Sequence, residues 1–404
     1  MIVVISTYRF PTFLKGDAMI RRELGEQLLK LAKWYPVVSV TGPRQSGKST
    51  LVQDAFPDYR YVNLEDPSVR ARAVADPTGF VSTLPDRVII DEAQYAPELF
   101  SAIQARADER RSSGQFILSG SQNFLLLKSI KQSLAGRVGI AHLLPLSFRE
   151  IRSSGGGVQP WDVMVRGSYP ALHISDVPTG IFYENYLDTY VTRDVVGYLD
   201  VRNERDFRRF LTACASRAGN LLNYADLSRD VGVSVPTIRS WMSILESSFV
   251  IRTLEPYYAN ISKRLAKTPK IYFYDTGLLC HLLGLSDAVA LAESPYAGAV
   301  FEDYVISEEL KRKINGLKRP QTYFYRDDSK IEIDMIDVTD AARPLLCEMK
   351  SGRTYRPNFA RSLAPVSESL GFQDPDLHVV YGGEGSFADG AVHVDGITEW
   401  LLRP

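Results

Sequence analysis

Residues 42–50 read GPRQSGKST, a pattern whose residue types and spacing could cradle phosphate. Gly42 and Gly47 permit a tight backbone path where a side chain would collide with bound phosphate. Between them Pro43, Arg44, Gln45 and Ser46 make a loop whose N–H groups can turn inward as an anion nest. Lys48 would reach the β- and γ-phosphates and the Ser49 hydroxyl would bind Mg²⁺. Thr50, Leu51, Val52 and Gln53 begin a helix whose N-terminus adds positive potential. Val37, Val38, Ser39 and Val40 precede the loop as a short β-branched strand. The plainer reading, a Gly-rich turn that happens to fit, is weakened by this strand-loop-helix setting.

A second motif weakens it further. Residues 87–94 read RVIIDEAQ: Val88, Ile89 and Ile90 form the unbroken apolar run of a strand buried on both faces, tipped by Asp91 and Glu92. Two carboxylates there are costly unless they meet a cation or a polar partner. Asp91 fits the Walker B role of holding Mg²⁺, and Glu92 fits a general base that activates water. The alternative is a solvated strand end.

These residues need a scaffold. Strand signals at 37–41, 59–64, 87–91, 115–119 and 138–143 alternate with helical ones such as 98–111. That alternation implies a parallel sheet with helices on both faces. The fourth strand ends in SGSQ, making Ser119 and Ser121 candidates to sense the γ-phosphate or position water; a Gly-Ser turn capping the next helix is the other reading. After a helix at 123–135 come Gly136 and Arg137. An Arg at that place in AAA+ ATPases reaches a neighbouring subunit's γ-phosphate, and a helix-capping Arg is the alternative. Residues 182–199 read as a helix with a core-like stripe of Tyr183, Tyr186, Leu187 and Tyr190; Arg193 on it is a second phosphate-sensing Arg or a structural ion pair.

Residues 224–254 carry helix-turn-helix patterning: a short helix, Gly232 at the turn, Ser234 as N-cap, Pro236 in the first turn, and an apolar face of Ile238, Trp241, Met242 and Leu245. Strands at 249–254 and 270–274 follow like a wing. Arg239 on the second helix, with Lys263, Arg264, Lys267 and Lys270 on the wing, could contact DNA phosphates. The alternative is a module that only joins the two ends of the chain.

The last part holds another ordered set of charges. Glu302 lies on a helix at 299–313, Asp334 in a strand at 331–338, and Glu348 and Lys350 on one face of a strand at 345–350. Converged, the three carboxylates could hold Mg²⁺ or Mn²⁺, with Lys350 positioning water or stabilising charge at phosphorus. The alternative is a buried ion network holding an inactive sheet together.

Composition sets the outer limits. The chain has 404 residues, 45% hydrophobic and 24% charged, with a formal net charge of −1. Two or three domains fit this length, and no global charge drives it toward nucleic acid or membrane. Cys214, Cys280 and Cys347 are odd in number and far apart, which argues against a disulfide framework and suits a reducing cytosol. No apolar run approaches the ~18 residues that span a bilayer. Residues 1–18 read as an extension or as preceding a natural start at Met19, and SSGGG at 153–157 as a flexible stretch.

Together the motifs resemble a family of prokaryotic AAA+-like ATPases that begin near MIRRELGEQL, carry TGPRQSGKST, VNLEDP, IIDEAQ, LSGSQ, SLAGR and YVTRD, and continue through SKRLAKTPKIYFYDTGL to IEIDMI and CEMKS. The match runs from Met19 to the C-terminus. The resemblance implies ATP binding at Lys48 and Ser49, Walker B roles for Asp91 and Glu92, and a PD-(D/E)xK nuclease-type core with Asp334, Glu348 and Lys350. The expected architecture is α/β: an AAA+-like P-loop domain (19–150), a helical lid (151–215), a winged-helix module (216–285) and a restriction-endonuclease-like domain (290–404). The expected protein is a cytoplasmic homo-oligomer that uses ATP and Mg²⁺, binds no membrane, and couples nucleotide state to a double-stranded DNA-binding or nuclease-like module. A nucleotide-controlled switch with an inactive nuclease-like scaffold is the alternative.

Overall fold

The computed structural model describes residues 19–120, 130, 133–155, 157–191, 204–258 and 268–403. Residues 1–18, Ser121, Arg193, Lys263, Arg264 and Lys267 lie outside them, as does most of the helix expected at 123–135.

Five parallel strands, β1 (Val37–Thr41), β2 (Arg60–Asn63), β3 (Val88–Asp91), β4 (Phe116–Gly120) and β5 (Val138–His142), are ordered β2-β3-β4-β1-β5. Their alternate side chains enter two separate cores: Val37, Ile90 and Leu118 on one face, Val38, Ile89 and Ile117 on the other. That two-sided burial is why the strands read as continuous apolar runs. The helices Leu24–Trp34 and Lys48–Ala55 cover the second face.

The middle of the chain is largely helical. The helices Tyr224–Val231 and Val235–Ser247 are joined through Gly232, whose φ of 85° only a glycine adopts without cost. Asn223 caps the first, accepting from the Ala225 and Asp226 N–H groups, and Ser234 caps the second, accepting from Thr237 N at 3.2 Å. Ile238, Trp241, Met242 and Leu245 are buried as their spacing requires. An antiparallel pair follows, β6 (Ile251–Leu254) and β7 (Lys270–Phe273).

The C-terminal part begins with the long helix Ala297–Asn315. Its sheet comprises β8 (Thr322–Arg326), β9 (Glu332–Asp337), β10 (Leu345–Lys350), β11 (Asp376–Tyr381), β12 (Ser386–Asp389) and β13 (Val392–Gly396), ordered β12-β13-β11-β10-β9-β8. β8, β9 and β10 are antiparallel, and β11 runs parallel to β10 after the crossover helix Leu363–Ser369. The long helix also joins the two ends of the molecule. Glu308, fully inside, accepts from Phe148 N at 2.7 Å and from Lys311 Nζ at 2.7 Å, while Asp303 pairs with the buried Arg252. Asp275 accepts from Ser168 N at 2.7 Å and from the Tyr183 hydroxyl at 2.5 Å, pinning the 167–170 turn.

Candidate functional site

The loop after β1 lies at the carboxyl end of the sheet, where open α/β sheets bind ligands. Its backbone takes positive φ at Gly42 (154°), Gln45 (61°) and Gly47 (89°). Such alternation turns N–H groups toward one concavity. Gly47 is the N-cap of Lys48–Ala55, so the helix N-terminus opens directly onto the loop. A Cβ at Gly42 would stand 2.1 Å from the Leu143 carbonyl oxygen, so neighbouring backbone by itself excludes a side chain there. The Lys48 ammonium is buried and donates to the Gly42 and Pro43 carbonyls at 3.1 and 2.7 Å. Ser49 follows it in the first turn of the same helix.

Asp91 ends β3 beside Asn63 of β2 and is 3% exposed. Two hydroxyls hold it: Tyr61 Oη donates to Oδ2 and Ser119 Oγ to Oδ1, both at 2.5 Å. Ser119 therefore differs from its expected role as a phosphate sensor. It is fully buried and its hydroxyl orients the Asp91 carboxylate. Tyr61 was not anticipated. It pairs with Ile89 in the sheet, two residues from Asp91 on the same face, and the Ser49 side chain stands close to its hydroxyl. A tyrosine one strand away and in register with the acid was the available signal. Burial, followed by the Asp91 charge, raises the Tyr61 phenol far above its ordinary range, so it remains a donor. Glu92 stands next in the left-handed region at φ 53°, a conformation costly for a non-glycine residue, and its carboxylate accepts from Gln94 Nε2.

These groups suit magnesium and a polyphosphate. Ser49 and Asp91 offer the oxygen donors a hard cation requires, and the buried Lys48 ammonium and the helix N-terminus belong to the same loop. Arg137 is elsewhere. It precedes β5, at the amino end of the sheet, donating to Asp108 Oδ1 at 2.5 Å and to the Ala135 carbonyl at 3.1 Å.

The C-terminal residues do converge. Asp334 on β9 accepts from Met349 N at 2.7 Å and from Lys350 Nζ at 3.2 Å, while Lys350 also donates to Glu348 at 2.6 Å. They line a cleft of ≈ 860 Å³ together with Glu332 and Ser362. Glu302 reaches the same charge cluster from the long helix. Burial first, then the Asp334 charge, pushes both Glu302 and Glu348 up to about 7. Among the described residues no group of three or more His, Cys, Asp or Glu is arranged to hold a metal ion.

Lys270 overturns an expectation. It was read as a DNA-contacting cation on the wing, yet it is 4% exposed. Its ammonium lies 3.0 Å from Glu302 and 2.5 Å from Glu332. Burial lowers its proton affinity, but those carboxylates and Asp334 outweigh burial and raise it. A lysine opening this buried strand pairs inward because the carboxylates opposite would otherwise be buried unpaired. Arg239 is exposed and stacks over the Tyr224 ring at 4.1 Å.

Family models match three stretches: an AAA domain over residues 35–152, and two domains of unknown function, DUF8612 over 159–289 and DUF4143 over 297–400. With a phosphate-loop strand and a carboxylate-tipped strand in one parallel sheet, residues 35–152 form an AAA-type P-loop ATPase domain. An uncharacterised protein of Mycobacterium tuberculosis is 34% identical over 374 residues, covering 91% of this chain and 81% of its own length. An uncharacterised Haemophilus influenzae protein is 23% identical over 313 residues, covering 68% of this chain and 76% of its own length. The chain belongs to the family of the mycobacterial protein, AAA+-like ATPases with a C-terminal domain of unknown function. Among solved structures, a Walker-type ATPase of Pyrococcus abyssi covers 66% of this chain and 96% of its own at a TM-score of 0.45 and 16% identity. AMPPCP-bound DnaA from Aquifex aeolicus covers 55% of this chain and 85% of its own at 0.30 and 12%. At such scores nothing further about this chain rests on them. No helix among the described residues is long and apolar enough to cross a membrane.

Proposed function

We propose that the chain is a Mg²⁺-dependent ATP hydrolase whose nucleotide state governs its C-terminal part. The observation that carries this reading is the convergence of the Lys48 loop, Ser49 and the doubly hydrogen-bonded Asp91 at one end of the sheet. Residues 42–50 grip the phosphates through backbone N–H groups and the Lys48 ammonium. Ser49 and Asp91 would hold Mg²⁺, which supplies positive charge against the phosphate oxygens. Glu92 takes the proton of the attacking water. Arg137, at the far end of the sheet, would serve the site of a second copy, making the active form a homo-oligomer. Ser121 is the other candidate to sense the γ-phosphate. The test is ATP binding by calorimetry together with phosphate release. Lys48→Ala should abolish binding, and Glu92→Gln should bind ATP without turning it over. Unchanged binding in the Lys48 variant would refute the assignment.

The governed part acts on double-stranded DNA in this reading. Helix Val235–Ser247 presents Arg239, Ser240 and Ser243 outward, the face a winged-helix reading would set against DNA. Lys263, Arg264 and Lys267 would add phosphate contacts. Glu302, Asp334 and Glu348, which as they stand are not arranged to hold a metal ion, would have to draw together to hold a second Mg²⁺ or Mn²⁺, which would polarise a phosphodiester, with Lys350 beside the reacting phosphorus. The three cysteines, all buried and unpaired, fit the cytoplasm. A second reading has its own support. Lys270 and Lys350 already neutralise these carboxylates, as in a nucleotide-controlled switch whose nuclease-like domain is a scaffold. Plasmid incubated with Mg²⁺ or Mn²⁺, with and without ATP, separates the two. Cutting that Asp334→Ala abolishes supports the nuclease; intact plasmid in every metal supports the switch.

A further inference from the structure

Arg22 lies just ahead of the helix Leu24–Trp34, far in sequence from the phosphate loop, yet its guanidinium is built into the back of that loop. Nη1 donates to the Ser46 carbonyl at 2.7 Å, Nη2 to the Leu144 carbonyl at 2.7 Å, and Nε to Glu150 Oε1 at 3.0 Å. The Arg22 side chain is 7% exposed and that of Glu150 1%. Glu150 is itself fixed: Oε1 also accepts from Glu23 N at 2.8 Å, and Oε2 accepts from Ser147 N at 2.8 Å in a capping box that starts the helix Phe148–Ser153. A fork with three donors engaged and its counter-ion held from three directions has little freedom to move.

The consequence follows from the planarity of the peptide. In a trans peptide the C=O and the next N–H point in opposite directions. Arg22 fixes the Ser46 carbonyl toward the protein interior, so the Gly47 N–H on the same plane faces the other way, into the concavity. Gly47 is needed for its φ of 89° rather than for space, since a Cβ there would meet Arg22 Nη1 at 3.8 Å and Pro170 Cγ at 3.7 Å, ordinary contact distances. A flip of this one peptide would put a carbonyl oxygen where a phosphate oxygen has to sit.

We propose that Arg22 is a positioning residue for the nucleotide: it holds the peptide joining Ser46 to Gly47 so that an N–H, not a carbonyl, meets the phosphates. This rests on the reading that residues 42–50 bind ATP. Because backbone donors of such loops contact the inner phosphates, ADP should feel the change as ATP does. Lysine cannot reproduce the fork. Arg22→Lys should therefore weaken both nucleotides by roughly tenfold or more, the scale of a lost charge-assisted hydrogen bond, with KM rising more than kcat falls. Glu150→Gln, which keeps the shape and removes the charge, should weaken them in the same direction by less. The measurement is calorimetric titration of the full chain with ATP and with ADP, alongside its melting temperature without nucleotide. A lower melting temperature with unchanged affinity in the folded Arg22→Lys protein would reduce Arg22 to a structural ion pair and overturn the proposal. Should Arg22→Lys fail to fold, unchanged affinity in Glu150→Gln would do the same. Failure of the parent reading looks different: the unaltered chain itself would not bind ATP, or Lys48→Ala would bind it equally well.

Discussion

The Tyr61 hydroxyl donates to Oδ2 of Asp91 at 2.5 Å from the neighbouring strand, with the Ser49 side chain close by. The phenol thus occupies one oxygen of the acid proposed to grip magnesium. Tyr61→Phe removes this competitor and should lower the Mg²⁺ concentration needed for half-maximal hydrolysis. It should also cost on the order of 1–2 kcal/mol of stability, as losing a hydrogen bond to a charged group does. A magnesium titration of phosphate release checks the sign. A higher requirement would mean that the phenol helps to hold the ion rather than competing with it.

Arg137 is bonded to Asp108 on the protein's own surface, which suits either a structural cap or a cation awaiting a neighbour. The two separate under mutation. If Arg137 serves a second copy, Arg137→Ala should bind ATP normally and hydrolyse it roughly a thousandfold more slowly, while Asp108→Ala should leave turnover intact. Single-turnover rates of the two variants decide it: equal, near-normal turnover in both makes Arg137 a cap.

Glu302 and Glu348 are held up to about 7 against an ordinary 4.5, by burial and then by the Asp334 charge. In the folded chain they keep their protons to higher pH than in the unfolded chain. Their contribution to stability is therefore full below about 4.5, declines as pH rises, and is lost above about 7. Urea unfolding in a chelator across that window should show the decline, and a double Gln variant should flatten it. A rise in stability with pH through the window would contradict the assignment.

Lys270 neutralises two carboxylates inside the protein. Lys270→Met should destabilise the chain by about 3–5 kcal/mol, the scale for breaking a buried ion pair from one side. Adding Glu302→Gln to it should recover part of that loss, because fewer charges are then stranded. A double-variant cycle by denaturant unfolding measures the recovery; simple additivity would show that the two residues do not interact.

The loop and acid proposed to bind nucleotide were readable because their placement is local. The loop, the strand before it and the helix after it are contiguous, and the apolar run ending in Asp91 carries its own burial pattern. Asp334, Glu348 and Lys350 were readable for a related reason, since period-two alternation fixes which strand residues share a face. The residues that escaped were those whose partners are remote in sequence. Ser119 and Tyr61 acquire their roles only when β4 and β2 flank β3, and Arg22 meets Glu150 across 128 positions. Lys270 misled because a cation near a wing looks solvent-facing until the helix bearing Glu302 is laid against it.

The bond from Phe148 N to Glu308 bears on how the molecule can be taken apart. The N-terminal sheet ends in a helix whose first amide is satisfied by an acid more than a hundred residues later, on an element of the last domain. Severing the chain between them would leave a bare amide on one fragment and, on the other, a glutamate short of an N–H donor. Expression of the N-terminal third alone should therefore give material that clumps or is degraded, and a workable dissection would have to carry the 297–315 helix along with the first sheet.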